Sequence, residues 1–375
     1  MKVRGALLRE MGLPRPYAES RPLEIAELDL DAPGAGELLV RVGAAGLCHS
    51  DLSVIDGSRP RVMPMVLGHE AAGEVVEVGP GATGFAVDDH VVLAFVPSCR
   101  TCDSCTMERP WLCEPGAAAN AAGSLLSGGH RFHGPDAGLE PHHHLGVSAF
   151  TDHIVVSARS AVRVDPALPY EVAALFGCAV LTGVGAVLNA AGAQPGEAVA
   201  IFGLGGVGMA ALLGAQLAGA ATVIGIDTVP AKLALARDLG ATHTVLASVD
   251  SVAEIRELTG GGAQRVVETV GSAAVLMDAY AATRRGGTTV TVGLPDPSRM
   301  LSIPAVSLVT EEKTLRGSYL GSCDPARDVP RFVAAHREGR LPVDRLLTHT
   351  LPLERLNEGF DRLAAGEAVR QAVVF

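Results

Sequence analysis

Seven cysteines, twelve histidines and one glycine-rich turn hold most of the chemistry available to this 375-residue sequence. Cys99, Cys102, Cys105 and Cys113 follow one another as C-x2-C-x2-C-x7-C. Four thiolates on one loop can close a tetrahedral zinc site. No position is then left for a substrate, so the spacing predicts a structural zinc. The rest of the chain holds only Cys48, Cys178 and Cys323, and chance clustering is a poor account of the other four. Cys48 stands in Gly46-Leu47-Cys48-His49-Ser50-Asp51, His69 in Gly68-His69-Glu70, and Cys178 in Phe176-Gly177-Cys178. Two thiolates, one imidazole and a water make a zinc site with one exchangeable position, which is the catalytic pattern. Spacing does not join residues so far apart. Each alone also reads as a buried thiol packing as a small hydrophobe, or as a surface histidine.

The glycine-rich turn is Gly203-Leu204-Gly205-Gly206-Val207-Gly208. It lies between a strand-like AVAIF and an apolar helical MAALLGAQLAG, the context a dinucleotide fingerprint requires. Gly203 permits the tight turn, Gly205 lets the backbone approach a pyrophosphate, and Gly208 lets the helix pack on the sheet. Asp227 ends the next strand candidate. A carboxylate there accepts hydrogen bonds from both ribose hydroxyls and repels a 2′-phosphate, which favours NAD. The competing reading is a structural turn in a glycine-rich chain.

These residues need two scaffolds. The length suits two domains, and 48% hydrophobic against 19% charged residues supplies large cores. Residues 1 to about 160 hold short β-like runs broken by Gly, Pro and Asp: 37–46, 70–79 and 88–95. They predict a mostly antiparallel, barrel-like domain. From about 196, strand candidates at 198–202, 222–227, 243–247, 265–270, 288–293 and 313–319 alternate with helical stretches such as 229–240. That rhythm predicts a six-stranded, doubly wound parallel sheet. The tail holds a helix candidate at 325–340 and a strand-like VRQAVVF, expected to return to the first domain. The expected boundaries are 1–179 with 320–375 for the zinc domain and 180–319 for the nucleotide domain.

Net charge is −11 and only three basic residues are lysine, with no basic stripe, so no nucleic-acid partner is expected. MKVRGALLREMG lacks a signal-peptide core and no apolar run reaches membrane-spanning length, so no membrane partner and a cytoplasmic location are expected. An odd number of cysteines in a reducing compartment reads as metal ligands rather than disulfides.

The zinc signature Gly68-His69-Glu70-x2-Gly73-x5-Gly79-x2-Ala82, the four-cysteine lobe, the Phe-Gly-Cys segment and the GLGGVG turn appear in one order. In this the chain resembles the zinc-containing alcohol dehydrogenases of the medium-chain dehydrogenase/reductase family. The likeness spans essentially the whole sequence. It implies a GroES-like β-barrel domain, a Rossmann domain, NAD, and two zincs per subunit. By that resemblance Cys48, His69 and Cys178 hold the catalytic zinc, Asp51 orients His69, and Glu70 lies behind the metal. Ser50 would accept the substrate proton. Thr182 would pack against the nicotinamide, and Val292 and Gly293 would bind its carboxamide through backbone groups. Lys232 would reach the adenosine ribose, and His49 and Arg370 the pyrophosphate. Phe95, His144, Leu145, Leu294 and Tyr319 align with substrate-pocket positions. The long segment 114–145 resembles the vertebrate-like, homodimeric branch.

The resemblance implies that an alcohol replaces the zinc water, loses its proton to Ser50 and passes hydride to the nicotinamide. Many members carry a His three residues after Ser50 to lead the proton outward, whereas this chain has Ser53. Serine is no base at neutral pH. Proton exit through the ribose and water, exit through His49, and a mainly reductive enzyme all stay open. Other readings are a thiol-dependent formaldehyde dehydrogenase, a biosynthetic aldehyde or iminium reductase, and a non-catalytic zinc and nucleotide scaffold.

Overall fold

Strand Leu23–Leu30, LEIAELDL, alternates buried and more exposed side chains, as a strand covered on one face must. It belongs to the first of two compact units in the computed structural model, which describes residues 1–136 and 138–375. That unit comprises Met1–Cys178, Asp324–Val333 and Leu347–Phe375. One of its sheets runs Phe132–His133, Leu23–Leu30, Lys2–Leu8, Met65–Val66, His142–His143. The other runs Ala161–Arg163, His90–Leu93, Ala71–Val78, Glu37–Gly46, Arg370–Val374, Leu347–Leu351, with His153–Ser157 also on Glu37–Gly46. The pairing is antiparallel except where Leu347–Leu351 meets Arg370–Val374 and Met65–Val66 meets His142–His143. Glu37–Gly46 is buried at nine of its ten positions, because partners bond both edges and the core covers both faces. Leu7, Leu28, Val40, Val75, Phe150 and Phe360 anchor that core. Each such side chain contributes about 1.5–3 kcal/mol when buried. The result is the predicted GroES-like, barrel-like domain, and VRQAVVF is its returning strand.

The second unit comprises Ala179–Cys323 and Ala334–Leu346. Its strand Ala198–Phe202 is apolar and wholly buried, as a central parallel strand is. The sheet runs His243–Leu246, Thr222–Asp227, Ala198–Phe202, Ala263–Glu268, Thr283–Thr291, Thr314–Gly317, all parallel. This is the predicted six-stranded doubly wound sheet. Its order reverses beside Ala198–Phe202, the strand that runs into the glycine turn. The strand predicted at 288–293 starts earlier, at Thr283, because Thr283 pairs with Ala263 across a bulge. Among the described residues no single helix is long and apolar enough to cross a membrane.

Candidate functional site

Cys48 caps helix His49–Ile55. From the third helical position Asp51 turns its carboxylate back onto the Cys48 amide at 3.2 Å, a reciprocal N-terminal cap. Its other oxygen meets His69 Nδ1 at 2.9 Å. One cap therefore steers two predicted ligands. His69 follows Gly68, which has φ +94°, and a Cβ there would stand 2.6 Å from the Phe150 amide. Only glycine lets this backbone lie against residues 149 and 150. Cys178 follows the buried turn Ala174–Gly177.

The ligand atoms of Cys48, His69 and Cys178 lie within 4.8 Å of one another, all buried. His69 Nε2 is buried with no hydrogen-bond partner among the described residues. A buried, unpartnered imidazole nitrogen beside two sulfurs is a donor set that fits zinc. The hydrogen bond from Cys178 and the nearness of His69 draw the Cys48 thiol well below its usual range, against burial. The Cys178 thiol is pushed well up by the Cys48 sulfur and by burial. Burial would lower His69, but the Asp51 charge outweighs it and holds the imidazole well above its usual value.

Glu70 pairs with Arg370, and both are buried. Arg370 also donates to the Leu47 carbonyl at 3.4 Å. The guanidinium of Arg370, expected at the pyrophosphate, is 3% exposed and is the counter-ion of Glu70, since a buried carboxylate requires one. The His144 side chain is also set differently from a plain pocket wall. It is 1% exposed, and its Nδ1 stands 3.1 Å from the same Asp51 oxygen that meets His69. Phe95 and His144 each set a ring edge-on to the His69 ring, at 5.4 and 5.5 Å. Leu145 is buried, Ser50 half-buried and His49 exposed. Ser53 donates its hydroxyl to the Ser50 carbonyl at 2.9 Å.

The sulfurs of Cys99, Cys102, Cys105 and Cys113 also lie within 4.8 Å of one another. Cys99 to Cys105 is 4.0 Å and Cys102 to Cys113 is 3.9 Å. Four thiolates at zinc–sulfur distances of about 2.3 Å would stand about 3.8 Å apart, so the lobe fits a closed zinc site. Its sulfurs accept amide hydrogens: Cys113 from Cys99 and Gly116, Cys99 from Thr101 and Cys102. Arg100 reaches Asp324 through two 2.7 Å bonds and ties down the loop.

In the second unit, helix Gly206–Leu217 starts from Gly205. A Cβ on Gly205 would meet nothing within 4 Å, whereas one on Gly208 would collide with the Gly203 carbonyl. The turn is open where a pyrophosphate would approach and closed where helix meets strand. Asp227 accepts the Leu204 amide at 2.7 Å and the Val229 amide at 2.9 Å, so it also shapes the turn. Gly206 is buried and Val207 half-buried. The amides of Val292 and Gly293 are spent on the Glu268 carbonyl, at 2.9 and 3.4 Å. Only their carbonyls are left to meet a carboxamide. Glu268 itself escaped the sequence reading. Buried, it accepts the amides of Val270 and Gly271 and the Thr291 hydroxyl. An acidic residue directly after the buried pair Val266 and Val267, at the end of strand Ala263–Glu268, was the available signal. Thr182 is buried in helix Ala179–Gly185, Lys232 is half-buried, and Leu294 and Tyr319 are 47% and 38% exposed.

Residues 34–166 match the alcohol dehydrogenase GroES-like domain and residues 206–336 the zinc-binding dehydrogenase domain. The chain is 38% identical to the NDMA-dependent alcohol dehydrogenase of Amycolatopsis methanolica, covering 100% of this chain and 99% of that one. It is 36% identical to the alcohol dehydrogenase class-3 of Cereibacter sphaeroides, with 100% of each covered. The crystal structure of benzyl alcohol dehydrogenase from Acinetobacter calcoaceticus superposes with a TM-score of 0.93 at 30% identity, covering 100% of this chain and 99% of that one. The chain belongs to the zinc-dependent alcohol dehydrogenases of the medium-chain dehydrogenase/reductase family. It is an oxidoreductase of small alcohols and aldehydes.

Proposed function

We propose that this enzyme uses NAD, binds its catalytic zinc through Cys48, His69 and Cys178 and a structural zinc through Cys99, Cys102, Cys105 and Cys113, and works as a cytoplasmic homodimer. The observation that carries the zinc reading is the buried, unpartnered Nε2 of His69 beside the Cys48 and Cys178 sulfurs. The open Gly205 cradle and Asp227 support NAD. Seven free cysteines support a reducing compartment. The exposed Met300, Val306 and Val309, near in sequence to the edge strand Thr314–Gly317, support a second subunit there. Residues 1–179 with 320–375 would be the zinc domain, and 180–319 the nucleotide domain.

When bound, zinc supplies Lewis-acid stabilisation of a developing alkoxide and NAD supplies the hydride acceptor. Cys48, His69 and Cys178 would hold the zinc by three ligands, a set that would leave one position for the alcohol oxygen. Asp51 fixes the His69 tautomer so that Nε2 carries the lone pair. Ser50 takes the hydroxyl proton. Ser53, its own hydrogen committed to the Ser50 carbonyl, serves poorly as the next carrier. Phe95, whose ring meets that of His69, gives the zinc side an apolar neighbour.

The test is NADH formation by the purified protein with primary, secondary and aromatic alcohols, each with and without a zinc chelator. Chelator-sensitive activity is expected. Formaldehyde oxidation only with added thiol would move the assignment to the thiol-dependent dehydrogenase. Asp227→Ala should lower the efficiency ratio of NAD to NADP by about 10- to 100-fold, the worth of charged hydrogen bonds. An unchanged ratio removes Asp227 from ribose recognition.

A further inference from the structure

Asp51 is hydrogen-bonded to the Cys48 amide and to His69, and a third nitrogen, the buried Nδ1 of His144, lies within reach of it without an aligned hydrogen bond to any group among the described residues. Its Oδ2 accepts the Cys48 amide at 3.2 Å. Its Oδ1 faces two histidines, His69 Nδ1 at 2.9 Å and His144 Nδ1 at 3.1 Å. All three side chains are almost wholly buried: Asp51 is 0% exposed, and His69 and His144 are 1%. We propose that His144 is a positioning residue of the metal centre. It shares the Asp51 carboxylate with His69, and so holds the His69 ring in the orientation that presents Nε2 to zinc.

The argument starts from the carboxylate. An ionised Asp can only accept, so both nitrogens facing Oδ1 must be donors. His144 is then the tautomer with its proton on Nδ1. Donors on both oxygens keep the carboxylate from rotating without breaking a bond on one side. A third N–H turned toward the carboxylate also offsets part of the cost of burying its charge. The rings add a steric element. Phe95 and His144 stand at 88° and 90° to the His69 plane, so two T-shaped ring contacts confine the imidazole. Phenylalanine at 144 would supply the edge alone. Histidine supplies the edge and the proton, and the two contributions are separable.

The proposal rests on the reading of Cys48, His69 and Cys178 as zinc ligands. The experiment follows zinc release from the holoenzyme to a chromophoric chelator. The four-cysteine lobe serves as internal reference. His144→Phe should speed release of the catalytic zinc about tenfold, the low end for an outer-shell partner, and leave release from the lobe unchanged. His144→Gln, which keeps a donor, should recover part of the loss. Cobalt-substituted His144→Phe should show shifted ligand-field bands. Unchanged release of the catalytic zinc overturns the proposal, as does equal acceleration at both sites, which would mark a general packing defect. Should His144→Phe fail to fold, imidazole nitrogen resonances of the labelled wild type decide. A proton on Nδ1 of His144 is required, and the Nε2–H tautomer refutes the proposal. A wild type that binds zinc only in the lobe would sink the ligand assignment as well.

Discussion

The lobe at Cys99–Cys113 and the cluster of Cys48, His69 and Cys178 gather similar atoms by different routes. In the lobe all four sulfurs come from one loop, and three of the cysteines are only half-buried. Their charge is met mostly by local backbone amides, those of Cys99, Thr101, Cys102 and Gly116. The cluster draws its ligands from three separate segments and buries all of them. Its ligands lie in a network of buried charged side chains: Asp51 and His144 about His69, and Arg370, brought from far along the chain, against Glu70. A site answered by local amides is complete once its loop closes. A buried site with distant partners depends on the whole first unit, and it can keep an open position because the surrounding fold holds it.

The largest expected effect separates the two directly. His69→Ala should abolish turnover, by on the order of 10³-fold or more if the metal's several kcal/mol are lost, and should remove one zinc while the lobe keeps the other. Cys102→Ser should do the reverse: lose the lobe zinc and several kcal/mol of stability, since structural zinc binding is folding free energy. Zinc content and thermal unfolding of both variants test this, and joint loss of both metals in either variant would break the contrast. Next comes the distant charge pair. Glu70→Gln leaves Arg370 buried without its counter-charge and should cost about 3–5 kcal/mol. The double variant Glu70→Gln/Arg370→Met should recover much of that in denaturant titration. Equal stability of the single variant and the wild type would show the pair to be dispensable. The smallest effect is a difference in reactivity. Bonds from the Thr101 hydroxyl and amide hold the Cys99 thiol down to about 6. A lowered thiol pKa means thiolate above that pH and thiol below it. In the metal-stripped protein, alkylation of Cys99 should therefore rise between about pH 5 and 7 and then level off, well before a thiol of ordinary value does. Cys48, 7% exposed, should label far more slowly despite its own depressed value. Mass spectrometry of the labelled peptides reads both rates, and faster labelling of Cys48 would reverse the comparison.

What the sequence disclosed follows the same division. The C-x2-C-x2-C-x7-C lobe and the GLGGVG turn are local patterns, and their geometry is set by neighbours along the chain. Ala198–Phe202 and most of Thr222–Asp227 were readable as buried apolar runs, whereas the outer strands His243–Leu246 and Thr314–Gly317, polar and mostly exposed, were readable from their alternation with helices. The partners of Asp51 and Glu70 were not readable, since Glu70 and Arg370 stand 300 positions apart. One clue was present: a carboxylate directly after a ligand histidine, inside an apolar stretch, must find a buried cation somewhere. His144 was sorted with the pocket because its neighbours matched pocket positions, while its 3.1 Å approach to Asp51 arises only once the segment folds back.

Strand Arg370–Val374 lies between Glu37–Gly46 and Leu347–Leu351 and brings Arg370 to Glu70. During synthesis this strand leaves the ribosome long after Cys48, His69 and Cys178. Until then the nascent first domain has one side of Glu37–Gly46 unpaired near its end and an acid without its cation. Its hydrophobic core can gather early, but the neighbourhood of its metal ligands cannot become native until Arg370 has been made and delivered to Glu70. The second unit, whose six strands all precede residue 320 and whose last segment ends at Leu346, is delayed less. The domain that begins first is thus the last to mature, and a ribosome stalled before residue 370 would carry a nucleotide fold beside an unfinished metal site.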